Sequence, residues 1–106
     1  SNAHDNVDIS GLQTLYHPNK PEGDGSSYYL AKFIQEEVLK STGFQDKGII
    51  ERPGLAVLRT SNMPAALIEV GFLSNEGDKD LITNYEFQDK VVDGIVKGIE
   101  RYFAEY

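Results

Sequence analysis

The strongest constraint on how this chain can fold is a short, nearly continuous apolar run from Ala65 to Val70. Pro64 and Gly71 bound the run, and this pattern is typical of a strand buried on both faces of a parallel sheet. Glu69 interrupts it near the carboxyl end. A carboxylate is rarely buried without a partner, because an unpaired charge there costs free energy or raises the pKa of the group. We therefore expect either a cation beside Glu69 or a cleft at the end of the strand.

The place of Glu69 near a strand end favours the cleft, because ligands of open α/β sheets bind beyond the carboxyl ends of the strands. Arg59 follows a second apolar run, residues 55–58, which we predict to be the preceding strand. Arg59 is therefore a candidate to keep Glu69 ionised or to bind a substrate carboxylate. The plainer alternatives are a structural ion pair of Glu69, a Glu69 that points into water, and a surface Arg59 without a role.

Composition excludes several classes of function. The net charge of -7 argues against a nucleic-acid surface and against an anionic membrane surface. There is no apolar stretch of membrane-spanning length, and the lack of cysteine excludes disulfides and thiolate metal sites. No signal peptide is recognisable at the start of the chain. Residues 1–3 look like a tag remnant, so we expect a single domain over residues 4–106.

Two helices and three strands are predicted. Alternation predicts a strand over residues 11–16, which joins residues 55–58 and 65–70 in a small, mostly parallel sheet flanked by helices, an α/β fold. The first helix begins at Ser26 or Ser27 and ends near Thr42, with Gly43 as its stop signal. Residues 44–48 are turn-like.

The last helix is predicted to start at a capping box formed by Thr83 and Glu86. Apolar residues recur at every fourth position along it, which predicts a face docked on the sheet: Phe87, Val91, Ile95, Ile99 and Phe103. Gly94 and Gly98 weaken the helix, so we expect them to serve close packing against a neighbouring element.

Few residues offer catalytic chemistry. His4 and His17 do not have the helical spacing of a zinc-binding pair. The sequence has no nucleophile elbow, no phosphate-binding glycine loop and no Ser placed beside a His base. Glu69 therefore remains as the candidate general acid or base.

The sequence from Ser26 to Phe103 resembles the carboxyl-terminal half of the zinc-dependent N-acetylmuramoyl-L-alanine amidases, which cut bacterial peptidoglycan. The matching segments are SSYYLAKFIQEEV, DKG at residues 46–48, LAVLR at 55–59, MPAALIEVGFLSN at 63–75 and IVKGIERYF at 95–103. The PAALIEVGFLSN segment is the most specific of them. Lys47 stands where the family commonly has Arg.

The resemblance implies a truncated part of a three-layer α/β/α amidase domain, with Glu69 as the catalytic carboxylate. It also implies a Zn²⁺ ion held by two His and one Glu in the intact enzyme. The first His and the Glu belong to the amino-terminal half of the family's domain, and the second His would fall just before residue 1. His4-Asp5-Asn6 echoes the segment of that second His but lies too close to Gly11. We therefore expect no complete metal site in this chain.

The function implied by the resemblance is that of a secreted or cell-envelope hydrolase of the autolysin type, acting on peptidoglycan. This chain alone would be inactive. An alternative from another class is a non-enzymatic cell-wall binding or regulatory module that keeps the amidase cleft for recognition. A third is an unrelated α/β domain in which Glu69 is merely paired. Because truncation of a parallel sheet exposes an edge, we also expect a homodimer through that edge.

Overall fold

Three strands and three helices make up the part of the chain that the computed structural model describes, residues 11–19, 26–71 and 84–106. In chain order they are β1 (Gly11–Tyr16), α1 (Ser27–Thr42), β2 (Gln45–Glu51), α2 (Ala56–Arg59), β3 (Leu67–Gly71) and α3 (Tyr85–Glu105). The strands form one sheet in the order β2-β1-β3. The predicted α/β class, a small sheet flanked by helices, is confirmed.

The sheet is mixed, because β1 pairs in parallel with β2 and antiparallel with β3. The prediction of a parallel strand buried on both faces is therefore wrong for the Glu69 segment. β3 lies at the edge of the described sheet, and its residues alternate between exposed and half-buried. An antiparallel edge strand needs only one apolar face, so a carboxylate on its other face carries no burial cost.

Helix α1 packs on β1 and β2 and forms the core of the described structure. Its Ile34 and Val38 contact Leu12 of β1, and all three are buried. The predicted end at Gly43 is confirmed. Gly43 has a left-handed φ of 74° and donates its N–H to the carbonyl of Leu39, so it closes the last turn as a C-cap glycine does.

The predicted strand over residues 55–58 is wrong, because residues 56–59 form the short helix α2. The carbonyl of Leu55 accepts hydrogen bonds from the N–H groups of Leu58 and Arg59, and only Leu58 of this helix is buried. A four-residue apolar run fits a strand and one helical turn equally well.

The second strand of the sheet is instead β2, which covers much of the segment predicted to be a turn. Its pairing with β1 contains one extra residue on the β2 side, a bulge near Gly48. Gly48 has φ 85°, and its N–H donates to Oδ1 of Asp46 at 2.8 Å. Turn-forming residues therefore sit inside a strand because a bulge accommodates them.

Helix α3 packs mainly on α1. The prediction that its apolar face docks on the sheet is therefore wrong. Its buried residues are Gly94, Gly98 and Tyr102, while Ile99 and Phe103 are exposed. The helix begins after Asn84, whose side chain accepts the N–H of Phe87. The predicted cap residue Thr83 lies outside the described residues.

The predicted close packing at the two glycines is confirmed. A Cβ atom added to Gly94 would lie 2.5 Å from Cα of Val38, and one added to Gly98 would lie 2.6 Å from Cα of Ile34. The two helix backbones thus touch where any larger residue would separate them.

Polar contacts hold the other end of the same helix pair. Nη1 of Arg101 lies 2.9 Å from Oε1 of Glu36 and 3.0 Å from Oε2 of Glu37, and the guanidinium lies over the Phe33 ring. Burial raises the pKa of Glu37, but hydrogen bonds from Lys40 and Arg101 outweigh burial and lower the pKa below its ordinary value. This carboxylate therefore stays ionised between the helices.

Gly94→Ala should lower the free energy of unfolding by about 1–3 kcal/mol, because the new methyl group meets backbone atoms of α1 that cannot rotate away. The helix propensity gained from Ala, about 1 kcal/mol, does not offset that clash. Urea denaturation measures the effect. Gly54→Ala is the matched control, since nothing lies within 4 Å of its added Cβ. Equal stability of the two variants would refute the close backbone contact between α1 and α3 at Gly94.

Candidate active site

Glu69 lies in the middle of β3, directly opposite Gln13 of β1, and is exposed. Its neighbours Ile68 and Val70 pack against the core cluster beneath α1. Because side chains alternate along a strand, Glu69 points from the opposite face of the sheet. The carboxylate therefore lies on the sheet face away from α1 and is exposed to solvent.

The structure does not bring Arg59 and Glu69 together. Arg59 ends α2 and is exposed, and among residues 11–19, 26–71 and 84–106 no ion pair involves Glu69. The expected pairing of these two side chains is therefore wrong for the described structure.

Two glycines form a bare patch of backbone next to Glu69. Gly11 and Gly71 are paired directly across β1 and β3, two residues along each strand from Gln13 and Glu69. The side chain of Lys47 lies over Gly11, since a Cβ there would lie 2.9 Å from its Cε. Lys47 therefore places a cation on the sheet face that carries Glu69. The only signal for Lys47 in the sequence is its place in the DKG segment.

The buried side-chain amide of Gln35 positions β1, the strand that pairs with the Glu69 strand. Nε2 of Gln35 donates to the carbonyl of Leu12 at 2.7 Å and to Oδ1 of Asp46 at 2.8 Å. Its Oε1 accepts from Oγ1 of Thr14 at 2.8 Å. The Gln35 side chain of α1 thereby links β1 to the bulge of β2. The signal in the sequence is a Gln on the apolar side of a helix, and it was missed.

The described residues do not fit a zinc ion. They contain no group of three or more His, Cys, Asp or Glu side chains that could hold a metal. His17 follows β1, and its Nδ1 accepts the N–H of Asn19 at 3.1 Å. It lies four residues beyond Gln13, about 13 Å along the strand direction from the level of Glu69. His4 lies outside the described residues.

The helices of the described segments include none that is long and apolar enough to span a membrane.

Comparison with known protein families shows to which family this chain belongs. The family model described as N-acetylmuramoyl-L-alanine amidase matches residues 1–101. The chain belongs to the N-acetylmuramoyl-L-alanine amidase family. The match includes residues 1–3, and their origin as a tag remnant stays a prediction.

Curated relatives agree with this membership. The chain is 36% identical over 96 residues to the germination-specific N-acetylmuramoyl-L-alanine amidase of Bacillus subtilis (strain 168), which covers 91% of this chain and 39% of that protein. It is 34% identical over 91 residues to the probable cell wall amidase LytH of Staphylococcus saprophyticus, covering 79% of this chain and 31% of the relative. The chain therefore spans less than half of the length of either relative.

Solved structures place the fold in the same family. The N-acetylmuramoyl-L-alanine amidase from Clostridium difficile 630 superposes with a TM-score of 0.77 at 36% identity, over 90% of this chain and 49% of that one. The catalytic domain of CwlV from Bacillus (Paenibacillus) polymyxa var. colistinus gives 0.74 at 32% identity, over 90% and 49%. The sheet and helices described above thus correspond to about half of an amidase domain.

Gln35→Leu should lower the free energy of unfolding by about 1–3 kcal/mol, because Thr14 and the carbonyl of Leu12 lose a buried hydrogen-bond partner. Amide hydrogen exchange along β1 should also become faster, which distinguishes local loosening of this strand from a general loss of stability. Gln45→Leu, at an exposed position of β2, is the control. Unchanged exchange at β1 would show that the amide does not position the strand.

Proposed function

We propose that this chain is the carboxyl-terminal part of a peptidoglycan hydrolase that cleaves the amide between N-acetylmuramic acid and L-alanine of the stem peptide. The observation that carries the proposal is the family match over residues 1–101, which includes the exposed Glu69 of β3. A catalytic carboxylate must reach a polymeric substrate, and an exposed position allows that approach.

In this proposal Glu69 is the general acid and base. It takes a proton from water as the water oxygen bonds to the amide carbon, and it returns that proton to the amide nitrogen as the carbon–nitrogen bond breaks. The products are the lactyl carboxylate of N-acetylmuramic acid and a stem peptide with a free amino group on L-alanine. One carboxylate thus serves both proton transfers.

The resemblance also implies Zn²⁺, and the described residues do not supply its ligands. We propose that the ligands belong to the amino-terminal half of the amidase domain, so that a chain of this extent is inactive by itself. The proposed division leaves this chain with the acid–base group and the sheet that supports it.

Further parts of the proposal concern the surroundings of the enzyme. Arg59 is proposed to bind substrate from its exposed position at the end of α2. Secretion or attachment to the cell envelope, with autolysin activity, is supported by a relative named as a probable cell wall amidase. A homodimer through a sheet edge stays a prediction for the isolated chain.

Glu69→Gln should reduce turnover by about 10²- to 10⁴-fold in a protein that joins this chain to an amidase amino-terminal half, because the amide keeps the shape and loses the base. Release of stem peptides from purified peptidoglycan measures turnover, and metal content should not change. Glu105→Gln, at the exposed end of α3, is the control. Loss of zinc would make Glu69 a ligand, and unchanged turnover would make Glu69 a structural residue.

Isolated and dialysed against metal-free buffer, the 106-residue chain should retain far less than one zinc per molecule, because it carries an incomplete ligand set. Elemental analysis by mass spectrometry, with the zinc-loaded longer protein as reference, measures the content. One tightly held zinc per chain would contradict the proposed division and make His4 and His17 the first ligands to test.

A further inference from the structure

Lys47 lies in one row with Gln13 and Glu69 across the sheet. Gln13 of β1 is paired with Glu69 of β3 on one side. On its other side Gln13 lies opposite Lys47 and Gly48, the two residues of β2 at the bulge. Neighbouring strands are about 4.8 Å apart, so the Cα atoms of Lys47 and Glu69 lie about 10 Å from each other. Two residues of opposite charge thus flank β1 within reach of one short substrate segment.

The bulge of β2 fixes the direction of the Lys47 side chain. Oδ1 of Asp46 accepts the N–H of Gly48 and the Nε2 amide of Gln35, each at 2.8 Å, and Gly48 supplies the positive φ of the turn. Asp46 therefore faces α1, and Lys47 points from the opposite sheet face, where its side chain lies over Gly11. A bulge can re-aim a side chain in this way, and bulges are frequent beside active sites.

The glycine pair leaves uncovered backbone between Lys47 and β3. Gly11 and Gly71 are paired across β1 and β3. Among the described residues, a Cβ added to Gly71 would meet only the carbonyl oxygen of Gly11, at 3.9 Å. Glycine in a strand often marks a place where a ligand or another backbone approaches closely. A peptide can therefore lie against the main chain here, beside both charged residues.

The charge of Lys47 is available to a ligand. Lys47 is exposed, and among residues 11–19, 26–71 and 84–106 no ion pair involves it. This is so although acidic residues outnumber basic ones, 17 to 10, in the whole chain. A lysine ammonium held in this position binds an anionic group best, and the anionic groups of a peptide are its carboxylates.

We propose that Lys47 binds the α-carboxylate of the second stem-peptide residue, a glutamate, and makes the enzyme prefer a free carboxylate there to an amidated one. The inference rests on the proposed function, because it takes the scissile amide to lie at Glu69. In an extended peptide the nitrogen of L-alanine and the carboxyl carbon of the next residue are about 6 Å apart. That length fits between two side chains whose Cα atoms are about 10 Å apart.

The test uses a protein that joins this chain to an amidase amino-terminal half. Two synthetic muropeptides are its substrates, and they differ only in the α-carboxylate of the second residue, which is free in one and amidated in the other. We expect kcat/KM to be about three- to tenfold higher for the free carboxylate, as for an exposed charge-assisted pair. Lys47→Met should remove this preference, whereas Lys47→Arg should keep it.

Lys90→Met is the matched control, the same change at an exposed lysine of α3, and it should keep the preference. Helix α3 packs on α1, which lies on the other face of the sheet. Circular dichroism shows that each variant remains folded. Added salt should also reduce the preference of the unchanged protein, because salt screens an exposed ion pair and would not alter a merely structural role of Lys47.

Two results overturn the inference alone: equal kcat/KM of the unchanged protein for the two muropeptides, or a preference that Lys47→Met and Lys90→Met affect equally. In both cases the protein still cleaves muropeptides, so the proposed function stands. Failure of the unchanged protein to cleave either muropeptide would overturn the proposed function, and the inference with it.

Discussion

The backbone contact between α1 and α3 is the constraint on which the rest of the described structure depends. At Gly94 and Gly98 the two helices approach so closely that a single methyl group would meet main-chain atoms. This contact fixes the rotation of α3 about its axis. That rotation in turn decides which apolar side chains of α3 join the core and which remain exposed. The ionic contacts of Arg101 with Glu36 and Glu37 support the same arrangement.

The sheet, too, is tightly packed on one side and loosely packed on the other. Below α1, the Gln35 amide satisfies buried groups of β1 and β2, and the core residues are fully enclosed. Toward β3 the packing is looser, with Ile68 and Val70 only half-buried and an outer edge that carries no described partner strand. In the proposed function, the amino-terminal half of an amidase domain completes this side of the sheet.

The position of Glu69 connects the fold to the proposed chemistry. On a strand enclosed on both faces, a carboxylate needs a counter-charge, and that need suggested Arg59 as its partner. On an antiparallel edge strand the same carboxylate faces solvent, with Gln13 opposite and the Gly11–Gly71 patch beside it. Lys47 of β2 lies over Gly11. The carboxylate is therefore exposed, and a cation on the same sheet face comes from a bulge that no local pattern predicts.

The sequence by itself determined the family, the catalytic candidate and the limits of α1, because these depend on a specific motif and on local signals such as the glycine that ends a helix. It also indicated that Gly94 and Gly98 serve close packing. Only the tertiary structure decided the direction of β3, the helical state of residues 56–59 and the orientation of α3. The physical reason is that short apolar runs satisfy several conformations equally, and that an apolar side wider than one neighbour can be buried in more than one way. Contacts distant in sequence then choose among them, here the close approach of Gly94 to Val38 and the pairing of β3 with β1.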